Sequence, residues 1–119
     1  MTEYLITFND EWVPEHSPEQ VQQKAEAVRP LIDEMLAEGV LIFGNGGLDR
    51  STAVCGVEPG ADGPVFTDGP YAETKEHLGG FVVVDVPDDA SARYWAGRLT
   101  TVLEWPHEVH RFRGPGRGR

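Results

Sequence analysis

Apolar residues recur along this chain with two periods, and the switches between them mark the elements. EYLITFN (3–9) alternates, with Tyr4, Ile6 and Phe8 on one side and Leu5 and Thr7 on the other, which predicts a strand with two usable faces. DEWVPEH reads as a loop. SPEQ (17–20) reads as a helix start: Ser17 as N-cap, Pro18 at the first helical position, Gln20 placed for a capping box. Val21, Ala25, Val28, Ile32 and Met35 follow at helical spacing as one stripe that ends near Gly39. Pro30 interrupts that helix half a turn from the stripe, so the lost hydrogen bond falls on the solvent side and one bent helix is expected.

VLIFG (40–44) is an apolar strand, and TAVCGV (52–57) with PVF (64–66) forms a hairpin. FVVVDV (81–86) is the strongest strand, ended by Pro87. Asp88 caps a second helix with Ala92, Trp95, Ala96, Leu99, Val102 and Leu103 on one stripe, which makes Trp95 a core residue. Trp105-Pro106 stops it, and HEVHRF (107–112) is a last strand.

This order predicts a ferredoxin-like α+β fold, βαββαβ, with both helices on one sheet face and an inserted hairpin and loop of about 30 residues between the second and third main strands. A long insertion of this kind is more often functional than filler. Residues 1–113 form a single domain and 114–119 a disordered Arg/Gly tail. Strand 81–86 is apolar on both sides, and such a sheet needs a second cover. Another copy of the same sheet supplies it, giving a homodimer and a dimeric α+β barrel. The space between the two sheets is then a natural pocket for a small organic ligand.

Charge narrows the partners. The net charge is −10, but four of the ten basic residues lie in the last nine positions, which leaves residues 1–110 at −14. Such a body repels nucleic acid and anionic membrane. No apolar run approaches the ~18 residues of a membrane span. The first residues, MTEYLITFND, carry no signal-peptide pattern, and the single Cys55 excludes an internal disulfide. These readings place the chain in the cytoplasm.

The candidate chemistry is concentrated in TDGPYAETKEHLGG (67–80). Asp68-Gly69-Pro70 is a turn signal, and Gly79-Gly80 lets the chain turn sharply into the next strand. Carboxylates and a histidine at the mouth of an apolar pocket can move protons. Asp68 or Glu76 is the candidate base, and Lys75 or His77 the acid or electrophilic partner. Tyr71 and Glu73 in the same loop, His110 on the last strand and Trp12 on the first loop are candidate substrate contacts. His110 shares its strand face with Glu108 and Phe112, and Trp12 either covers a pocket or packs locally. A plain solvated turn is the competing reading. A metal held by Glu73, Glu76 and His77 is the weaker alternative, because one helical turn seldom supplies enough ligands. GNGG (44–47) lacks the following helix a phosphate loop needs, Cys55 has no visible activating neighbour, and His107 and His110 fall on opposite strand faces. No cofactor or metal is expected.

TDGPYAETKEHLGGFVVVDV resembles the signature of the DGPF-type branch of the YCII-related family, with Tyr71 at its aromatic position. The resemblance extends over about residues 3–112. It implies a dimeric α+β barrel built from a ferredoxin-like protomer. It also implies acid/base chemistry on small organic molecules, by a lyase, isomerase or hydrolase step, or else a non-catalytic binding or accessory role. The wider family's His-Asp pair has its histidine on the first helix. This chain has none there, so that pair does not carry over. Asp68, Glu73, Lys75 and Glu76 match the branch motif position by position.

Overall fold

The computed structural model of the protein describes residues 1–48, 54–69 and 77–118. Strand β1 (Thr2–Asn9) leads into a 3₁₀ turn (Asp10–Trp12), then helix α1 (Pro18–Ala37) and strand β2 (Leu41–Asn45). A hairpin of β3 (Cys55–Gly60) and β4 (Gly63–Asp68) follows, then β5 (Leu78–Val86), helix α2 (Asp89–Leu103) and β6 (Glu108–Arg111). The main sheet is antiparallel, in the order β2-β5-β1-β6, with the hairpin as a separate two-stranded sheet. This is the ferredoxin-like α+β arrangement, with the hairpin inserted between its second and third strands.

Local chemistry explains the element ends. Ser17 accepts from the Gln20 backbone N–H, and the Gln20 side chain accepts from the Ser17 N–H, so the capping box closes. Helix α1 continues through Pro30, which is exposed. Asp88 caps α2 by accepting from the Ser91 N–H at 2.8 Å. At the other end of α2, Glu104 takes the left-handed conformation (φ 63°), a position where glycine is usual. That turn carries Trp105 and His107 back across the end of the sheet.

The core lies between the helices and one sheet face. Tyr4, Ile6, Val84 and Val86 from the sheet meet Leu31 and Met35 of α1 and Ala92, Trp95, Ala96 and Leu99 of α2. Along α1 the buried stripe is narrower than the sequence pattern predicts. Val21 and Ala25 are exposed, and packing begins at Val28 with Leu31, Ile32 and Met35. Leu31 stands one turn before Met35 and replaces the first two positions of the expected stripe. Arg98 of α2 forks onto the Glu34 carboxylate of α1 and lies over the Tyr94 and Trp95 rings, which ties the two helices at the surface.

Among the described residues, no helix covers the opposite sheet face. Leu5, Phe81 and Val83 are half-buried there, while Phe43 is 58% exposed and Phe112 42%. Residues 116–118 lie against this face beside Phe43 and Phe112, and the Gly116 N–H donates to Glu3. The hairpin is apolar and exposed as well, with Phe66 at 65% and Val57 at 50%. Cys55 is exposed at its start.

Candidate functional site

One end of the sheet gathers most of the chemistry. There β1 and β2 finish, β5 begins, and the chain leaving α2 returns. Gly79 and Gly80 are part of β5, not a turn before it. Their lack of side chains serves a close approach: a Cβ on Gly79 would stand 2.7 Å from the Phe8 ring and 2.6 Å from Asp10 Oδ1, and one on Gly80 2.7 Å from the same ring. The Phe8 ring therefore lies flat over two bare backbone units. Its other neighbours are Trp105, with ring centroids 5.0 Å apart, and His107, at 5.6 Å and edge-on. Trp12 packs locally, with Val13 and Val28, against Phe8, Leu103 and Trp105.

Between this end of the sheet and the two helices is a cleft of about 170 Å³. Its walls are mostly carbon: Phe8 and Ile6 from β1, Val28 and Ile32 from α1, Leu99 and Leu103 from α2. Gly44, Asn45 and Gly46 bring backbone to one side, and His107 is the polar side chain that borders it, since Asn45 pairs with Phe81 of the opposite face. Among the described residues, no carboxylate, lysine or arginine lines it.

His107 is the group with the most defined state. Its Nδ1 stands 2.7 Å from the Trp105 carbonyl and 3.1 Å from the Thr100 hydroxyl. A carbonyl oxygen only accepts, so Nδ1 carries the proton and Nε2 is left as an acceptor. Burial pushes the imidazole below its usual pKa, against the opposing pull of the Trp105 carbonyl, so the neutral form is favoured.

A second histidine stands at the same end on the outer side. His77 precedes β5, and its Nδ1 pairs with the Glu11 carboxylate from the 3₁₀ turn. The His77 backbone N–H donates to the same carboxylate at 3.0 Å, and the Asp10 N–H donates to the His77 carbonyl at 2.8 Å. The His77 ring hydrogen bond, then the His77 backbone N–H, hold Glu11 down to about 2. The two side chains are 24% and 34% exposed, and His77 does not border the cleft.

The other described sequence candidates, Asp68 and His110, lie apart from this end. Asp68 ends β4 and is exposed on the hairpin, opposite Cys55. His110 lies on the helix-free face in register with Leu5, 3.0 Å from Glu108. Tyr71, Glu73, Lys75 and Glu76 lie outside the described residues, as do Asp49 and the start of the expected strand at 52–57. Among the described residues, no group of three or more His, Cys, Asp or Glu is placed to hold a metal ion. No helix there is long and apolar enough to cross a membrane.

Two members of this end, Glu11 and His107, were not candidates from the sequence. Strand parity could have found His107. Val109 pairs with Ile6 on the helix side, so the side chain two residues earlier falls on that same side.

The family model described as YCII-related domain matches residues 2–104. The chain belongs to the YCII-related family. The match spans α1, α2, the described strands β1 to β5 and the whole 67–80 segment, and it stops short of His107 and β6. No curated protein matches the chain closely enough to stand as a relative.

Proposed function

We propose that this YCII-related protein binds a small organic molecule in the cleft between sheet and helices and moves a proton on it without a cofactor. The observation that carries this reading is a mostly carbon-lined cleft of about 170 Å³ bordered by one half-buried, neutral imidazole. Apolar walls with few convergent polar groups are the usual form of a small-molecule site, and a neutral histidine is the usual proton acceptor near pH 7. His107 is the group nearest the chemistry in this reading. The segment 67–80, which matches the family motif, joins β5 through His77, and its acid and base side chains are the further candidates for proton transfer in this reading. The density of its motif supports placement in the DGPF-type branch.

The test begins with protein purified under native conditions, denatured, and its released small molecules identified by mass spectrometry. Val28→Trp fills the cleft and should abolish the co-purified molecule while the thermal transition stays cooperative. His107→Gln should keep binding and lose conversion of that molecule. Retention of the same molecule by the filled variant would show that it binds elsewhere.

A second reading, a non-catalytic ligand-binding or accessory protein, is favoured by one observation. His77 is engaged by Glu11 at the surface, as a structural tie would be, and does not border the cleft. An intact ligand after prolonged incubation with wild-type protein would favour it.

The helix-free face supports a homodimer. Phe43 and Phe112 are exposed on it next to half-buried Leu5, Phe81 and Val83, a patch that water covers poorly. In a dimer, residues 116–118 would sit at the edge of the interface. Sedimentation should give twice the mass of one chain at micromolar concentration, and Phe43→Glu should shift it towards one.

A further inference from the structure

We infer that the cleft is built for an uncharged, benzene-sized molecule carrying one hydroxyl-type donor, with His107 Nε2 as the acceptor of that donor. This rests on the reading of the cleft as the ligand site and adds the chemical class of the ligand. Three observations set it.

The first is size. A cleft of about 170 Å³ is close to the ~150 Å³ apolar cavity that holds a benzene ring. The second is charge. Among the described residues that border the cleft there is no acid and no lysine or arginine. A carboxylate or ammonium placed there would lose its hydration without a counter-charge. The third is hydrogen-bond polarity. The Trp105 carbonyl and Thr100 hydroxyl occupy the Nδ1 edge of His107, which leaves the Nε2 lone pair for the cleft. Asn45 pairs with Phe81, which places its side chain on the helix-free side, where its Oδ1 accepts from the Gly47 N–H at 3.0 Å. A ligand N–H or O–H therefore has His107 Nε2 as its side-chain acceptor, and an apolar molecule with no donor leaves that acceptor dry and unpaired. A phenol or a compact branched alcohol meets all three conditions.

The test compares phenol, toluene and benzoate as probes on the full chain, by ligand-observed NMR titration at neutral pH. The expected order is phenol tightest, toluene about five- to tenfold weaker, the worth of one neutral hydrogen bond in a dry site, and benzoate not bound. The His107→Leu variant should keep toluene and lose the preference for phenol. Should that variant fail to fold, the long-range ¹H–¹⁵N spectrum of the wild-type imidazole decides. It should show Nδ1 protonated and Nε2 bare, with Nε2 moving on addition of phenol and not of toluene. Equal affinity for phenol and toluene, or tighter binding of benzoate, would overturn the inference while leaving the cleft a binding site. Failure of all three probes to bind would remove the cleft reading itself, and the inference with it.

Discussion

His107 and His77 stand at the same end of the sheet, one against a carbonyl and a hydroxyl, the other against a carboxylate. The first borders a mostly carbon-lined cleft and is held neutral by burial. The second does not border the cleft, and it ties the Glu11 turn to the start of β5 through both its ring and its backbone N–H. Two identical side chains thus differ in what they can do because of their neighbours. Both rings offer Nδ1 to an oxygen, so the contrast lies in which oxygen each meets, a carbonyl for His107 and a carboxylate for His77, and in which of them borders the cleft. Phe8 and the Gly79-Gly80 pair lie between the two regions, so the comparison can be broken there first.

The largest expected effect is on Phe8. Its ring is buried, packs on Trp105 and His107, and overlies Gly79 and Gly80. Phe8→Ala should cost about 3–5 kcal/mol in urea unfolding, the usual range for a buried phenylalanine. It should also perturb the amide signals of both His77 and His107. A cost like that of an ordinary surface substitution would mean that the two regions are independent.

Gly80→Ala comes next. The added Cβ would stand 2.7 Å from the Phe8 ring and 2.9 Å from the Gly46 carbonyl carbon, and the latter is backbone that cannot swing away. Overpacking of this kind costs about 1–3 kcal/mol. Wild-type stability in this variant would show that the ring does not rest on the strand.

These two residues also show how much the sequence disclosed. Alternation placed Tyr4, Ile6 and Phe8 on one face, and Ser17-Pro18-Gln20 and Asp88 marked helix starts that the structure keeps. Those signals are local, and each depends on chemistry within a turn or a strand. The candidate end depends on register instead. Asn9 pairs with Leu78, which brings residue 11 to residue 77 across 66 positions of chain, and no local pattern announces it. Val21 was misjudged for the same reason: helical spacing gives a stripe, but only the position of the sheet beneath it decides where the stripe is covered.

The two regions should separate in pH. His107 has a lowered pKa in the folded chain, so the unfolded chain binds more protons just below the ordinary value of 6.5. Its contribution is complete above about 6.5 and is lost as pH falls through the folded value. The groups packed on it, the Thr100 hydroxyl, the Trp105 carbonyl and the Phe8 ring, do not titrate in that range. Glu11 works in a lower window. Its folded value of about 2 against 4.5 gives a contribution complete above 4.5 and lost between 4.5 and 2. Thermal midpoints followed against pH should flatten near and below 6.5 in His107→Gln and only below 4.5 in Glu11→Gln. If both variants flatten the same window, the contrast drawn between the two histidines is wrong.

The smallest effects concern the charged loop that leads to His77. We propose that Asp68, Glu73, Lys75 and Glu76 act as one network that fixes this segment. Asp68 is exposed, and exposed ion pairs contribute little one at a time, so single substitutions should move the thermal midpoint only slightly. The informative quantity is the coupling between them. Members of a connected network polarise and order one another, so Asp68→Ala and Lys75→Ala should together change stability by an amount different from the sum of the singles. The coupling should shrink as salt is added, because the screening length falls to about 3 Å at 1 M. The comparison pair is Glu11→Gln with Lys75→Ala. A network that reaches the Glu11–His77 tie would couple these two as well, and would join the outer histidine to the loop. Strict additivity in both pairs, at low salt as at high, would leave the loop a solvated turn and His107 the single candidate for chemistry at this end of the sheet.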